Sequence, residues 1–148
     1  MVDVVVLDAG PLGMASHPRR QAEFQDWLTE LGRLDITIVV PEIADYEVRR
    51  ELIRAGRTVG LDLLDYFISE SQYEPITTSI MRRAAELWAE TRNRGRPLAD
   101  PQALDADVIL AATSEAVAAR GHETVVATTN LAHLGAIARA AIWHEIRG

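Results

Sequence analysis

A chain of 148 residues has the length of one domain, is expected to fold as a single unit over 1–148, and is large enough to bury roughly 70% of its unfolded surface without staples. Cysteine is absent, which excludes disulfides, thiolate catalysis and cysteine-ligated metals. All fifteen basic residues are arginine, so a lysine-dependent phosphate loop and Schiff-base chemistry are excluded as well, and fifteen arginines against 22 acids leave a formal charge of −7.

In chain order, Val2–Leu7 is a β-branched run ending in Asp8 and Gly10-Pro11, which predicts a buried strand and its turn. Arg19–Leu31 carries Phe24, Trp27, Leu28 and Leu31 at helical spacing, with Gly32 as the stop. Ile36–Val40 is a second strand ended by Pro41, and Glu42–Ala55 is a helix closed by Gly56. Val59–Ser69 is a further helix, Tyr73–Thr77 a short strand and Ser79–Asn93 another helix. Gly95–Gln102, with two prolines, predicts a loop, and Leu104–Arg120 an alanine-rich helix that Asp105 caps. Thr124–Thr128 is a strand, and Ala141–Ile146 a last one. Near-continuous apolar strands alternating with helices predict an α/β fold with a parallel sheet covered on both faces.

Ligands of open parallel sheets bind at the carboxyl ends of the strands. Asp8 falls at such an end, and so do Thr129 and Asn130 after the TVVAT strand. Asp107 precedes a wholly apolar VILAA, and Glu47 interrupts its helix between Tyr46 and Val48. Taken singly, a helix dipole explains Asp105 well and Asp107 less well, and solvent exposure explains Glu47. Taken together, Asp8, Glu47 and Asp107 form an oxygen-only set suited to magnesium or manganese, and three carboxylates crowded as anions call for a cation.

Four segments carry a family pattern: VVVLDAGPLG at 4–13, VVPEIADYEVRREL at 39–52, LDADVILAAT at 104–113 and VVATTNLAHL at 125–134. With these the chain resembles the PIN domain, and more closely the VapC-like toxins of bacterial type II toxin–antitoxin pairs. The resemblance implies a PIN-like three-layer fold, a central parallel β-sheet flanked by α-helices. It implies a Mg2+- or Mn2+-dependent endoribonuclease hydrolysing RNA phosphodiester bonds, with a small antitoxin protein and a second copy of the chain as partners. Family site positions fall on Asp8, Glu47, Asp107 and Asn130, the first three as metal ligands and Asn130 orienting water or phosphate. Three positions depart from the pattern. Ala9 replaces a Thr or Ser whose hydroxyl helps orient the site, Asn130 removes a charge that some relatives have, and His133 stands where an acid often follows.

A receiver-type phosphoacceptor needs a lysine that this chain lacks, and a haloacid-dehalogenase-like phosphatase needs an acid at Gly10. The remaining rival is a catalytically weakened PIN-like domain that binds RNA or protein. Arginines cluster at Arg49-Arg50-Arg54-Arg57, Arg82-Arg83 and Arg92-Arg94-Arg96. They form either solvated faces with surface ion pairs or phosphate contacts. The histidines lack ligand spacing. Trp27, Trp88 and Trp143 read as core or interface aromatics, with Phe24, Trp27 and Leu28 as a candidate dimer surface. With no charged-then-apolar leader and no apolar run of about eighteen residues, a cytoplasmic protein is expected.

Overall fold

The structure, a computed structural model, describes residues 1–19, 22–95, 101–132 and 134–147, the side chains of 101–103 apart. Five strands form one sheet: β1 (Val4–Leu7), β2 (Thr37–Pro41), β3 (Gln72–Glu74), β4 (Thr124–Thr128) and β5 (Ala140–Ile142). The spatial order is β3-β2-β1-β4-β5 with every pair parallel. The helices are α1 (Ala9–Ala15), α2 (Ala22–Arg33), α3 (Glu42–Arg54), α4 (Thr58–Ser69), α5 (Thr78–Asn93) and α6 (Pro101–Ala118).

The apolar runs of the sequence follow from double-sided burial. Val5 and Leu7 of β1 face a core with Leu12, Phe24, Trp27, Leu31, Leu64 and Phe67 from α1, α2 and α4. Val4 and Val6 face the opposite core, with Val39, Val126, and Leu110 and Val117 of α6. α5 packs outside α6 through Ile80, Ala84 and Leu87 against Leu104, Val108 and Ala111. This is the expected three-layer, PIN-like α/β fold.

Chain order runs outward from β1 to β2 and β3, then returns to place β4 on the other side of β1. The switch point of the sheet is therefore the gap between the carboxyl ends of β1 and β4, where a parallel sheet opens a crevice.

Several boundaries differ from the sequence expectation. Gly10-Pro11 is not a turn but part of α1, because a proline in the first helical turn occupies a position whose N–H has no intrahelical partner. α2 passes through Gly32 to Arg33, and the chain then leaves it through Asp35, which takes the left-handed conformation (φ 56) that glycine usually fills. The expected loop over 95–102 is overtaken at its end, since α6 starts at Pro101, and its centre at 96–100 lies outside the described residues. Asp105 is consequently not a cap but lies one turn inside α6. The last strand is shorter than expected and gives way to a 3-10 turn over Trp143–Glu145.

The expected aromatic dimer face is also corrected. Phe24 and Trp27 are 0% and 4% exposed, and with Trp143 they form an edge-on aromatic cluster. Trp27 donates its indole N–H to the Ile146 carbonyl at 2.9 Å, pinning the last described residues to α2. Trp88, by contrast, is 40% exposed.

Candidate active site

Asp8 is held rigidly at the switch point. Its backbone N–H continues the ladder to Ala127 C=O (2.9 Å), and its side chain occupies the N-cap of α1. Oδ1 accepts from the Ala9 N–H at 2.7 Å and Oδ2 accepts from the Thr128 hydroxyl at 2.7 Å. Both oxygens of the side chain are thus engaged by donors of the protein itself.

Thr128 is the site residue that sequence reasoning missed. It is 1% exposed, and the register pairing Leu7 with Ala127 sets it beside Asp8. The orienting hydroxyl expected to be lost at Ala9 is thus supplied from the neighbouring strand. The signal is present in the sequence as a threonine ending the strand that pairs with β1. Gly10 completes the junction. A Cβ there would stand 2.5 Å from Thr129 Oγ1 and 2.8 Å from its Cγ2, so only glycine lets α1 start this close to β4.

Glu47 comes from α3, which is anchored on three sides. Glu42 Oε1 accepts from the Ile76 N–H at 2.8 Å. Asp45 accepts from the Tyr73 hydroxyl at 2.7 Å and from Arg49 Nε at 3.0 Å, and Arg49 also reaches Asp65 of α4 at 2.8 Å. Half-buried on the inner side of this helix, Glu47 titrates at about 7 instead of near 4.5. Burial is the main cause, the charge of Asp8 the next, with Arg50 opposing and Asp107 adding to the rise. Glu47 therefore senses both other carboxylates, one at the end of β1 and one on α6.

Asp107 projects half-buried from the second turn of α6, the helix that packs on α3 and β4. Asn130 lies at the same edge but is exposed, and its amide oxygen accepts from the Ala132 N–H at 2.9 Å. Its backbone N–H reaches Thr128 Oγ1 at 3.2 Å, so its link to Asp8 runs through that hydroxyl. His133 lies outside the described residues. Among the described residues, no three acidic or histidine side chains are drawn close enough to hold a metal ion as they stand. Glu47 is near enough to feel the charge of both Asp8 and Asp107, and the hard oxygen donors of the three suit magnesium or manganese.

Beside Glu47 a cleft of about 860 Å³ runs between α1, the end of α3 and the start of α4. Arg50, Arg54 and Arg57 stand along its wall, with Gly10 and Gly13 opposite. Other arginines follow the surface ion-pair reading: Arg83 binds Glu115 and Glu86, Arg120 binds Glu74, and Arg139 binds Glu123. No described helix is long and apolar enough to cross a membrane.

No protein-family model matches the sequence, and no curated protein matches it. Solved structures do. A chain of the VapBC2 complex of Rickettsia felis, bound to a DNA fragment from its promoter, aligns at a TM-score of 0.77 and 16% identity, covering 95% of this chain and 98% of that one. For DNA-bound VapBC of Salmonella typhimurium the values are 0.69 and 19%, covering 97% and 99%. For FitAcB of Neisseria gonorrhoeae they are 0.64 and 17%, covering 96% and 99%. At these identities the likeness is one of fold over nearly the whole length of each chain.

Proposed function

We propose, from the premise that the chain has the fold seen in VapBC complexes, that it is a divalent-metal-dependent endoribonuclease acting as the toxin of a toxin–antitoxin pair. The observation that carries this reading is the electrostatic meeting of Asp8, Glu47 and Asp107 at the switch point of the sheet. Burial lifts Glu47 to about 7, and two other acids drawn from separate elements, Asp8 and Asp107, add to the rise. Functional sites are where such tension is found.

In this reading Asp8, Glu47 and Asp107 hold Mg2+ or Mn2+. When bound, the ion polarises a phosphoryl oxygen and lowers the pKa of the attacking water. The protein groups have separate tasks. The Ala9 N–H and the Thr128 hydroxyl fix both oxygens of Asp8, so its orientation is set before substrate arrives. Glu47, half-buried and under the charge of both Asp8 and Asp107, would give up its proton to share the ion with them. Asn130 retains its amide N–H donors for a phosphate oxygen or the water, since its carbonyl oxygen is engaged in the loop. In-line displacement by water would break the bond from phosphorus to the ribose oxygen, which leaves as a hydroxyl by taking a proton from solvent.

A small antitoxin and a second copy of the chain are the partners of this reading. Support for the first is the fold shared with VapBC and FitAcB chains. For the second, the exposed Met81 and Trp88 on α5 offer apolar surface in place of the buried Phe24 and Trp27. The direct test is cleavage of single-stranded RNA by purified protein with Mg2+ or Mn2+, with chelator and with Glu47→Gln. Cleavage that needs the metal and is lost in the variant supports the reading. Intact RNA together with metal-insensitive RNA binding would favour a non-catalytic binding domain.

A further inference from the structure

The −7 chain places three of its arginines along one wall of the cleft beside Glu47. Arg50 and Arg54 follow Glu47 by three and seven residues on α3, so they share its helix face at about 4.5 and 10.5 Å along the axis. Arg57 is brought back to the same wall by the turn that ends the helix. Gly56 adopts φ +66, its N–H reaches Ile53 C=O at 3.1 Å, and the Arg57 N–H reaches Leu52 C=O at 2.9 Å. That pair of bonds is a Schellman closure, and the left-handed residue in it favours glycine.

The three differ in their partners. Arg54 contacts Glu51 at 2.9 Å. Arg50 has no carboxylate in contact among the described residues; its guanidinium lies 5.0 Å from the Tyr46 ring centroid and spends a hydrogen bond on that side chain, and the rest of its five-donor fork remains for a ligand. Arg57 likewise contacts no described carboxylate. A guanidinium fork fits phosphate oxygens in two-point fashion. Glu47 and Ala9, the neighbour of Asp8, line the same cleft as the arginines, so an RNA strand with a phosphate at the acidic site has a path past them.

We propose that Arg50 and Arg57 bind successive phosphates of the RNA strand flanking the scissile bond, with the cleft along α3 as its path. This inference rests on the ribonuclease reading and adds the route and two contacts to it. The experiment is binding of a short, labelled single-stranded oligouridylate in chelator across a salt series, for wild type, Arg50→Gln, Arg57→Gln and the double variant. Arg120→Gln, which removes an arginine paired with Glu74 at 2.8 Å, is the control. Each lost phosphate contact reduces the slope of log K against log salt by about 0.7, which at about 0.15 M salt is roughly a fourfold loss of affinity. We expect that loss for each single variant, about fifteenfold for the double, and no change for Arg120→Gln. Unchanged slopes in variants whose parent cleaves the same RNA with metal overturn the arginine assignment alone. A parent that neither binds nor cleaves the RNA overturns the ribonuclease reading with it. An oligoglutamate that binds more tightly than the oligouridylate would assign the cleft to an acidic protein segment and overturn the proposal.

Discussion

Replacing Glu47 by glutamine should stabilise the metal-free protein, although it removes a residue of the proposed chemistry. A carboxyl that titrates at about 7 in the folded chain and near 4.5 when unfolded binds its proton more tightly in the native state. Its contribution to stability is fully present below about pH 4.5 and is lost as pH rises toward 7. At 1.36 kcal/mol per pH unit the ceiling is about 3 kcal/mol. Glu47 is only half-buried, so solvent screening reduces this to about 1–2 kcal/mol. Glutamine keeps the shape and removes the charge that burial, Asp8 and Asp107 oppose. Urea denaturation in chelator near pH 8 should therefore show Glu47→Gln more stable than wild type by about 1–2 kcal/mol, and near pH 5 the gap should shrink. Saturating Mn2+ should reverse the order, because the ion stabilises the wild-type carboxylate set by mass action. A variant no more stable than wild type near pH 8 in chelator would refute the claim that the Glu47 charge is opposed by burial and by Asp8 and Asp107.

Three further outcomes follow from the same geometry. Thr128→Val removes a buried donor from Asp8 and should cost about 1.5–3 kcal/mol in denaturation, together with a loss of roughly 10- to 100-fold in Mn2+ affinity by calorimetry; the serine variant should restore much of both. Gly10→Ala forces a Cβ against Thr129 and should lower stability by about 1–3 kcal/mol, read as a shift in urea midpoint without a change in slope. Metal affinity should rise with pH up to about 7 as Glu47 loses its proton, and a flat profile through that range would count against Glu47 as a ligand.

Much of this architecture is legible in the sequence because the informative residues act locally. β-branched runs stopped by Asp8, Pro41 and Thr129 mark the strands, and the parallel-sheet rule alone puts Asp8 at a carboxyl end. The position of α1 is not legible, since Gly10-Pro11 reads equally as a turn; the cap by Asp8 and its docking against Thr129 decide for helix. Asp105 reads as a cap only if Pro101 belongs to a loop, whereas proline is well suited to a first helical position. The helical stripe of Phe24 and Trp27 is correct in period, but what it faces depends on Trp143, over a hundred residues later. Thr128 escapes notice for a related reason. A threonine in TVVAT is an ordinary strand former until register places its hydroxyl 2.7 Å from a carboxylate. Asn130 falls at the correct edge, but its side-chain oxygen is committed to a turn that no periodicity reveals.

The most direct measurement is cleavage of single-stranded RNA by Asp8→Ala beside wild type, with Mn2+ or Mg2+ and with chelator, while circular dichroism follows the fold. Metal-dependent cleavage by wild type and its abolition in a variant that remains folded are the expected results. Undiminished cleavage by folded Asp8→Ala would contradict it.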